Sequence, residues 1–436
     1  MTEDILQPDQ IPVLEELAAK AKSVTIRRRA RILLLYNTGK DTREISETVG
    51  LAPRSVRYWR GEFQKRGMDI FSAADLAQLK ELSTKPVAKG PTRVKLKPAS
   101  GDKSTDHDAA LVGIPFPRVR KNPGLKADDP MAEAGRKILR FHFAQMLSHE
   151  EGTRLGQDVE ELHDMRVATR RMRAAFDVFG PYFKPKMSKY HLKGLRATGR
   201  ALGRVRDLDV FMEKAGHYLE NLPENERSGL EPLLHVWQQE RSVEREKMLA
   251  YLDSGSYLQF KQDFNEFVST PGAGARTVSG EDPKPDLVRH VAPILVYTNL
   301  AGVRAYEKII SNAMIDQLHA LRIEFKKLRY TMEFFREVLG ESSKEVINDL
   351  KILQDHLGDL NDANVACNIL RKFIETWEER QTDLPLQERQ NPEPVVAYLA
   401  AKHAERHNLT VTFPRTWAHF NRPEFLENVA LSVSVL

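Results

Sequence analysis

The chain has 436 residues, enough for two or three domains, and 41% of them are hydrophobic, so a sizeable core can form. Charged residues make up 29%, and the formal net charge is +5. The single cysteine, Cys367, excludes an intramolecular disulfide and a metal cluster built on cysteines. The amino terminus is acidic and lacks an apolar signal core, and no run of about 18 apolar residues could span a membrane. We therefore expect a cytoplasmic protein.

Residues 1–72 are predicted to form a small helical module. Apolar spacing predicts helices over residues 27–36, from residue 41 or 42 through Val49, and from about Pro53 onward. The third helix directs three apolar residues to the core: Val56, Trp59 and Phe63. Its outward face carries Arg54, Ser55, Arg57, Tyr58 and Arg60. The module resembles a homeodomain-like helix-turn-helix, in which the third helix enters the DNA major groove. A helical docking module without DNA contacts is the alternative.

Residues 73–127 are predicted to be a flexible basic linker, because proline, glycine, lysine and serine dominate and apolar periodicity disappears. Helical spacing returns over residues 128–436. This part contains no convincing run of alternating strand residues, so the predicted class is all-α.

The helical part contains an internal repeat. The segment LHDMRVATRRMRAAF around His163 recurs as LHALRIEFKKLRYTM around His319. At nearly the same offset, LGRVRDLD from Leu202 aligns with LGDLNDAN from Leu357. Each half is therefore predicted to hold the same series of helices, enough for a four-helix bundle. The predicted halves are residues 128–270 and 286–436.

Both halves carry cations on one helical face, opposite the apolar face that would enter the core. The first ridge contains His163, Arg166, Arg170 and Arg173. The second ridge contains His319, Arg322, Lys326 and Arg329. The following helix of the first half adds Lys193, Arg196, Arg200 and Arg204. Regularly spaced arginine and lysine suit the phosphate groups of a polyanion, although a solvated helix face is the alternative.

The two halves differ in the helix that follows the ridge. The second half keeps Lys351 but has Asp355 and Asp359 where the first half has Arg200 and Arg204. We therefore expect the first half to hold phosphate more tightly. Three further carboxylates are expected to orient neighbouring arginines rather than bind a metal: Asp207, Asp209 and Asp362. For the repeat histidines, phosphate contact and a packing or capping role both remain open.

The segment LHDMRVATRRMRAAFDVFGPYF, followed by LGRVRDLDVF, resembles the CHAD family, the conserved histidine α-helical domain. The resemblance covers roughly residues 128–436. It implies two four-helix bundles related by a pseudo-twofold axis, with a basic groove that binds inorganic polyphosphate. The positions that match the family are the two ridges, together with Arg171, Lys327, Arg196, Arg200 and Arg206.

The resemblance predicts a non-enzymatic polyphosphate-binding protein that needs no cofactor and is located in the cytoplasm or at polyphosphate granules. We find no HExxH motif, Cys/His cluster or acidic triad that would indicate a catalytic metal. Two alternatives remain. One is a DNA-binding transcription regulator that senses polyphosphate, and the other is an enzyme that acts on polyphosphate or nucleotides.

Overall fold

The computed structural model describes residues 6–20, 24–49, 53–71, 114–276 and 286–436. Contacts divide the chain into two compact units, residues 1–108 and 109–436. Within the described ranges the regular structure is helical, which confirms the predicted all-α class. None of these helices combines the length and the apolar character that crossing a membrane requires.

The smaller unit contains the helices predicted for the amino-terminal module. Its described helices are α1 (Gln10–Lys20), α2 (Val24–Asn37), α3 (Thr42–Val49) and α4 (Pro53–Arg66). Asp41 caps α3, because its Oδ1 accepts the backbone N–H groups of Arg43 and Glu44, both at 2.8 Å. Val56, Trp59 and Phe63 are buried in α4, as predicted. The three-helix arrangement of α2 to α4 thus follows the local sequence signals.

The larger unit repeats one series of helices. Its first half consists of α5 (Met131–Ser148), α6 (Glu150–Leu155), α7 (Val159–Phe179), α8 (Pro185–Glu220), α9 (Glu231–Leu252) and α10 (Gly255–Ser269). The second half consists of α11 (Val288–Arg304), α12 (Ile315–Phe335), α13 (Ser343–Thr382), α14 (Glu393–Phe420) and α15 (Pro423–Val433). Each ridge helix, α7 or α12, packs against the long helix that follows it, α8 or α13.

The ridge helices are amphipathic in the predicted phase. The buried residues of α7 include Met165, Met172, Phe176 and Phe179. Those of α12 include Leu321, Leu328, Met332 and Phe335. Asp158 caps α7, with Oδ1 accepting the N–H of Glu160 at 2.9 Å. Burial of these apolar faces leaves the cations of both ridges on the other side.

The two halves meet through equivalent helices. The helix α7 contacts α12, and α5 contacts α11. At the centre of the first contact, the ring centroids of Phe179 and Phe335 lie 5.6 Å apart, and the two residues occupy equivalent positions of the repeat. Contacts between equivalent surfaces are what a twofold relation produces. The pseudo-twofold axis and the division into two four-helix bundles remain predictions.

Residues 114–127, which fell within the predicted linker, belong to the larger unit and pack on its helices. The Phe116 ring lies 6.2 Å from that of Phe143, between centroids. Leu125 is only 7% exposed and belongs to the main core. The backbone N–H groups of Gly124 and Leu125 donate to the Glu337 carboxylate at 3.0 and 2.8 Å. The segment thereby ties the first half to the second, whereas predicted linker residues 73–113 lie outside the described ranges.

Replacing Leu125 tests whether this segment stabilises the larger unit. Leu125→Ala removes a buried side chain, so we expect the free energy of unfolding to fall by about 2 kcal/mol. Val119→Ala, in the same segment but 54% exposed, should change it by less than about 0.5 kcal/mol. Urea denaturation of the larger unit, followed by circular dichroism, measures both. Equal effects would show that the segment does not contribute to the core.

Candidate functional site

The contact between α7 and α12, here called the seam, brings cations from both halves together. Arg170 projects from α7, while Arg322 and Lys326 project from α12. Burial, followed by the charges of Arg322 and Arg170, lowers the pKa of Lys326 to about 8. Arg329 acts in the same direction, and Asp362 opposes it. The seam therefore concentrates positive charge that no single helix could assemble.

A second group of cations surrounds Asp177 of α7. Partial burial raises the pKa of this carboxyl group, and the charges of Arg173, Arg196 and Lys327 oppose the shift. These three side chains come from α7, α8 and α12 respectively. Predicted cations of three helices thus lie close to one carboxylate.

Several predicted cations remain on the surface. The exposed members of the set are Arg170, Arg173, Lys193, Arg196, Arg200, Arg204, Lys327 and Lys351. Two of these have anionic partners, because Arg204 pairs with Glu240 and Lys327 pairs with Glu324. The cationic surface therefore depends most on α7 and the first part of α8.

Three of the predicted binding residues are buried or form ion pairs within the protein. Arg171 and Arg329 both contact Glu333, with N–O distances of 3.1 and 3.6 Å. The first of these ion pairs joins the two halves. Arg206 is only 5% exposed, so its guanidinium lies in the interior rather than on the groove surface. Helical spacing could not predict these ion pairs or this burial, because both depend on which residues of neighbouring helices pack against each arginine.

The repeat histidines differ in their surroundings. His163 is half-buried on α7, whereas His319 is exposed on α12. Nδ1 of His319 lies 3.0 Å from Oδ1 of Asn361, a carbonyl oxygen that accepts. With the proton on Nδ1, the Nε2 atom of a neutral ring is an acceptor. A phosphate contact from Nε2 of His319 therefore requires the protonated imidazolium.

The three carboxylates of the long helices form ion pairs, and two of them pair with an arginine, as predicted. Asp207 Oδ1 lies 3.1 Å from Nη2 of Arg166, and Asp209 pairs with Arg241. Asp362 Oδ2 accepts from the Lys214 ammonium at 2.9 Å, across the halves. Among the residues that the structure describes, no group of three or more histidine, cysteine, aspartate or glutamate side chains could hold a metal ion.

Lys214 was not predicted, although the sequence contains a signal for it. The residue lies five helical turns beyond Arg196, so it continues the cationic stripe of α8. Its ammonium also approaches Asp359 at 3.9 Å. Burial raises the pKa of Asp359, Lys214 lowers it, and Asp362, Glu405 and Asp355 raise it further. This stretch of the second half is thus acidic, and tighter phosphate binding by the first half stays a prediction.

The predicted DNA-binding face of α4 is described only in part. Arg57 is exposed. The guanidinium carbon of Arg60 lies 4.8 Å from the ring centroid of Tyr36, so this side chain packs on α2 and is only partly accessible. The side chains of Arg54, Ser55 and Tyr58 lie outside the described residues.

Comparison with protein families assigns both units. Residues 137–371, more than half of the chain, match the CHAD domain. The chain belongs to the CHAD family. Residues 23–70 match the homeodomain-like domain. The crystal structure of the CHAD domain from the plant Ricinus communis has the same fold, with a TM-score of 0.51 and 22% identity. The match covers 73% of this chain and 96% of the plant chain.

Two curated relatives come from Mycobacterium tuberculosis. Uncharacterized protein MT2285 of strain CDC 1551 is 26% identical over 243 residues, which are 54% of this chain and 45% of that protein. Uncharacterized protein Rv2226 of strain H37Rv matches with the same identity and coverage. The chain therefore spans about half the length of the curated relatives it matches.

The protonation of Lys326 tests the seam geometry independently of any ligand. Removing the like charge in Arg170→Gln should raise the pKa of Lys326 above about 8, because α7 then repels the ammonium less. Its proton would be lost at higher pH, so reaction with an acylating reagent, in which the neutral amine is the nucleophile, would begin at higher pH. Mass spectrometry of the labelled peptide measures this. Arg200→Gln is the control and should leave the profile unchanged; equal shifts would contradict the placement of Arg170.

Proposed function

We propose that the CHAD region binds inorganic polyphosphate along a cationic groove formed by α7, α8 and α12, without catalysing a reaction on it. The observation that supports this proposal most directly is the meeting of Arg170 with Arg322 and Lys326 at the seam. Like charges at such proximity repel one another in the unliganded protein. A polyanion relieves that repulsion, so binding energy is available at this place.

The chemistry of the groove favours a phosphate chain over a small ligand. Exposed cations extend from the seam along α8, where Lys193, Arg196 and Arg200 are separated by about one helical turn. Arginine forks donate to pairs of phosphate oxygens, and lysine contributes a mobile charge. Binding of a charged polymer would release counterions, so affinity should fall steeply as salt rises.

The exposed arginines of α8 provide the main test. We expect Arg196→Gln combined with Arg200→Gln to weaken binding of long-chain polyphosphate, measured by calorimetric titration of the full chain at one salt concentration. Two lost contacts should also reduce the slope of log affinity against log salt by about 1.4. The control removes two exposed cations from the outer helices α9 and α14, Lys247→Gln and Arg415→Gln.

Equal losses in the two double variants would show that net charge, rather than the groove, determines binding. Absence of measurable binding in the parent protein would overturn the proposal. Release of phosphate or shortening of the polyphosphate chain during the titration would favour the enzymatic alternative.

The homeodomain-like match and the exposed Arg57 favour a second candidate, a DNA-binding regulator in which the CHAD region senses polyphosphate. Both ligands are polyanions, so free polyphosphate would also compete electrostatically for α4. A sensor requires more than competition. It requires occupancy of the groove to change the affinity for DNA by a coupling free energy at fixed ionic strength.

A groove variant separates coupling from competition. If the chain is a sensor, Arg170→Gln with Arg196→Gln and Arg200→Gln should keep the parent affinity for duplex DNA but lose most of the effect of polyphosphate on it. Fluorescence anisotropy of labelled DNA, with and without polyphosphate at constant ionic strength, measures both quantities. If polyphosphate displaces DNA equally from variant and parent, charge competition accounts for the effect and the sensor idea fails.

A further inference from the structure

In both halves of the repeat, the equivalent arginine of the ridge helix packs over a glycine of the following helix. Arg166 crosses α8 at Gly203, where an added Cβ would stand 2.5 Å from Nη1 of that arginine. Arg322 crosses α13 at Gly358, where an added Cβ would stand 3.9 Å from Nη2. Each arginine lies three residues after its repeat histidine, and each glycine directly follows the repeat leucine. The arrangement is therefore a feature of the repeat, closer in the first half than in the second.

A carboxylate lies one turn beyond each glycine. In the first half Asp207 Oδ1 is 3.1 Å from Nη2 of Arg166. In the second half burial lowers the pKa of Arg322, and the charge of Asp362 opposes the shift. Burial likewise raises the pKa of Asp207, and Asp362 is among the charges that act on it. The ion pair of Arg166 with Asp207 therefore lies next to the second half.

Backbone conformation does not require glycine at position 203. Gly203 lies within the regular helix α8, and its φ is not in the left-handed region. A glycine inside a helix costs roughly 0.5–1 kcal/mol relative to alanine. The missing Cβ instead makes room for a guanidinium that lies against α8 and is held by Asp207 from one side.

We propose that Gly203 is a positioning residue for the polyanion groove: it lets Arg166 lie flat on α8 and keeps the guanidinium in one place. This inference rests on the proposed function. An arginine has five N–H donors, and the carboxylate of Asp207 does not use them all. An immobilised guanidinium loses less side-chain entropy when it binds phosphate, so a fixed Arg166 contributes more to affinity than a mobile one.

The glycines of α8 supply a matched control. Apart from the adjoining residues of its own helix, no described heavy atom lies within 4 Å of the place where a Cβ at Gly216 would stand. At Gly199 the nearest atom, Nη1 of Arg173, would be 3.5 Å away, an ordinary contact. Only at Gly203 would an alanine methyl group collide with a groove arginine. All three replacements are Gly→Ala in one helix, so they share the same effect on helix propensity.

The experiment compares Gly203→Ala with Gly216→Ala in the full chain. We expect Gly203→Ala to weaken polyphosphate binding by about fivefold, because the methyl group displaces the Arg166 guanidinium. Gly216→Ala should leave the affinity unchanged. The colliding atom is the end of a flexible side chain, so both variants should melt at or slightly above the parent temperature. Calorimetric titration and thermal denaturation give the two readouts.

A double-mutant cycle distinguishes positioning from a general structural effect. In a chain that already carries Arg166→Ala, adding Gly203→Ala should not weaken binding further, because the group it displaces is absent. An undiminished loss in that background, or parent-like affinity of Gly203→Ala alone, would overturn the inference while leaving the proposed function intact. If the parent does not bind polyphosphate, the proposed function fails and this inference fails with it.

Discussion

The packing of α7 against α12 is the interaction on which the candidate site depends. Phe179 and Phe335 meet at this contact, and burying a large apolar side chain contributes roughly 1.5–3 kcal/mol. The same contact brings Arg170 close to Arg322 and Lys326. Repulsion between two charges about 4 Å apart costs about 1 kcal/mol in water and more where water is excluded. The free energy of apolar burial can therefore offset the repulsion between these like charges. A bound polyanion would lower that repulsion further.

Carboxylates determine which cations remain open to a ligand. Glu333 contacts Arg171 and Arg329, and the first of these pairs fastens the halves. Lys214 reaches across to Asp362 and Asp359. Along the first part of α8, by contrast, the cations are exposed. Some arginines thus form ion pairs that support the fold, while others remain accessible and suit phosphate. These differences make the two halves of the repeat unequal.

The proposed binding of polyanions by two modules of one chain would give a physical basis for regulation. The homeodomain-like region presents Arg57 on α4, and the CHAD region concentrates cations at the seam. Each would respond to salt in the same direction, because both proposed ligands offer phosphate groups to these cations. A specific link between them therefore has to appear as a coupling free energy, separable from the shared electrostatic response.

The sequence by itself determined the helical class, the repeat, the start of α3 at residue 41 or 42 and the apolar faces of the ridge helices. These features are local, because the helical period of 3.6 residues fixes which side chains share a face. Tertiary structure decided which individual cations are buried, which form ion pairs and which remain accessible. Arg206 is interior, Arg171 is bound to Glu333, and Arg166 lies over Gly203. Periodicity identifies a face but not the residues packed across from it, and those neighbours determine burial and pairing.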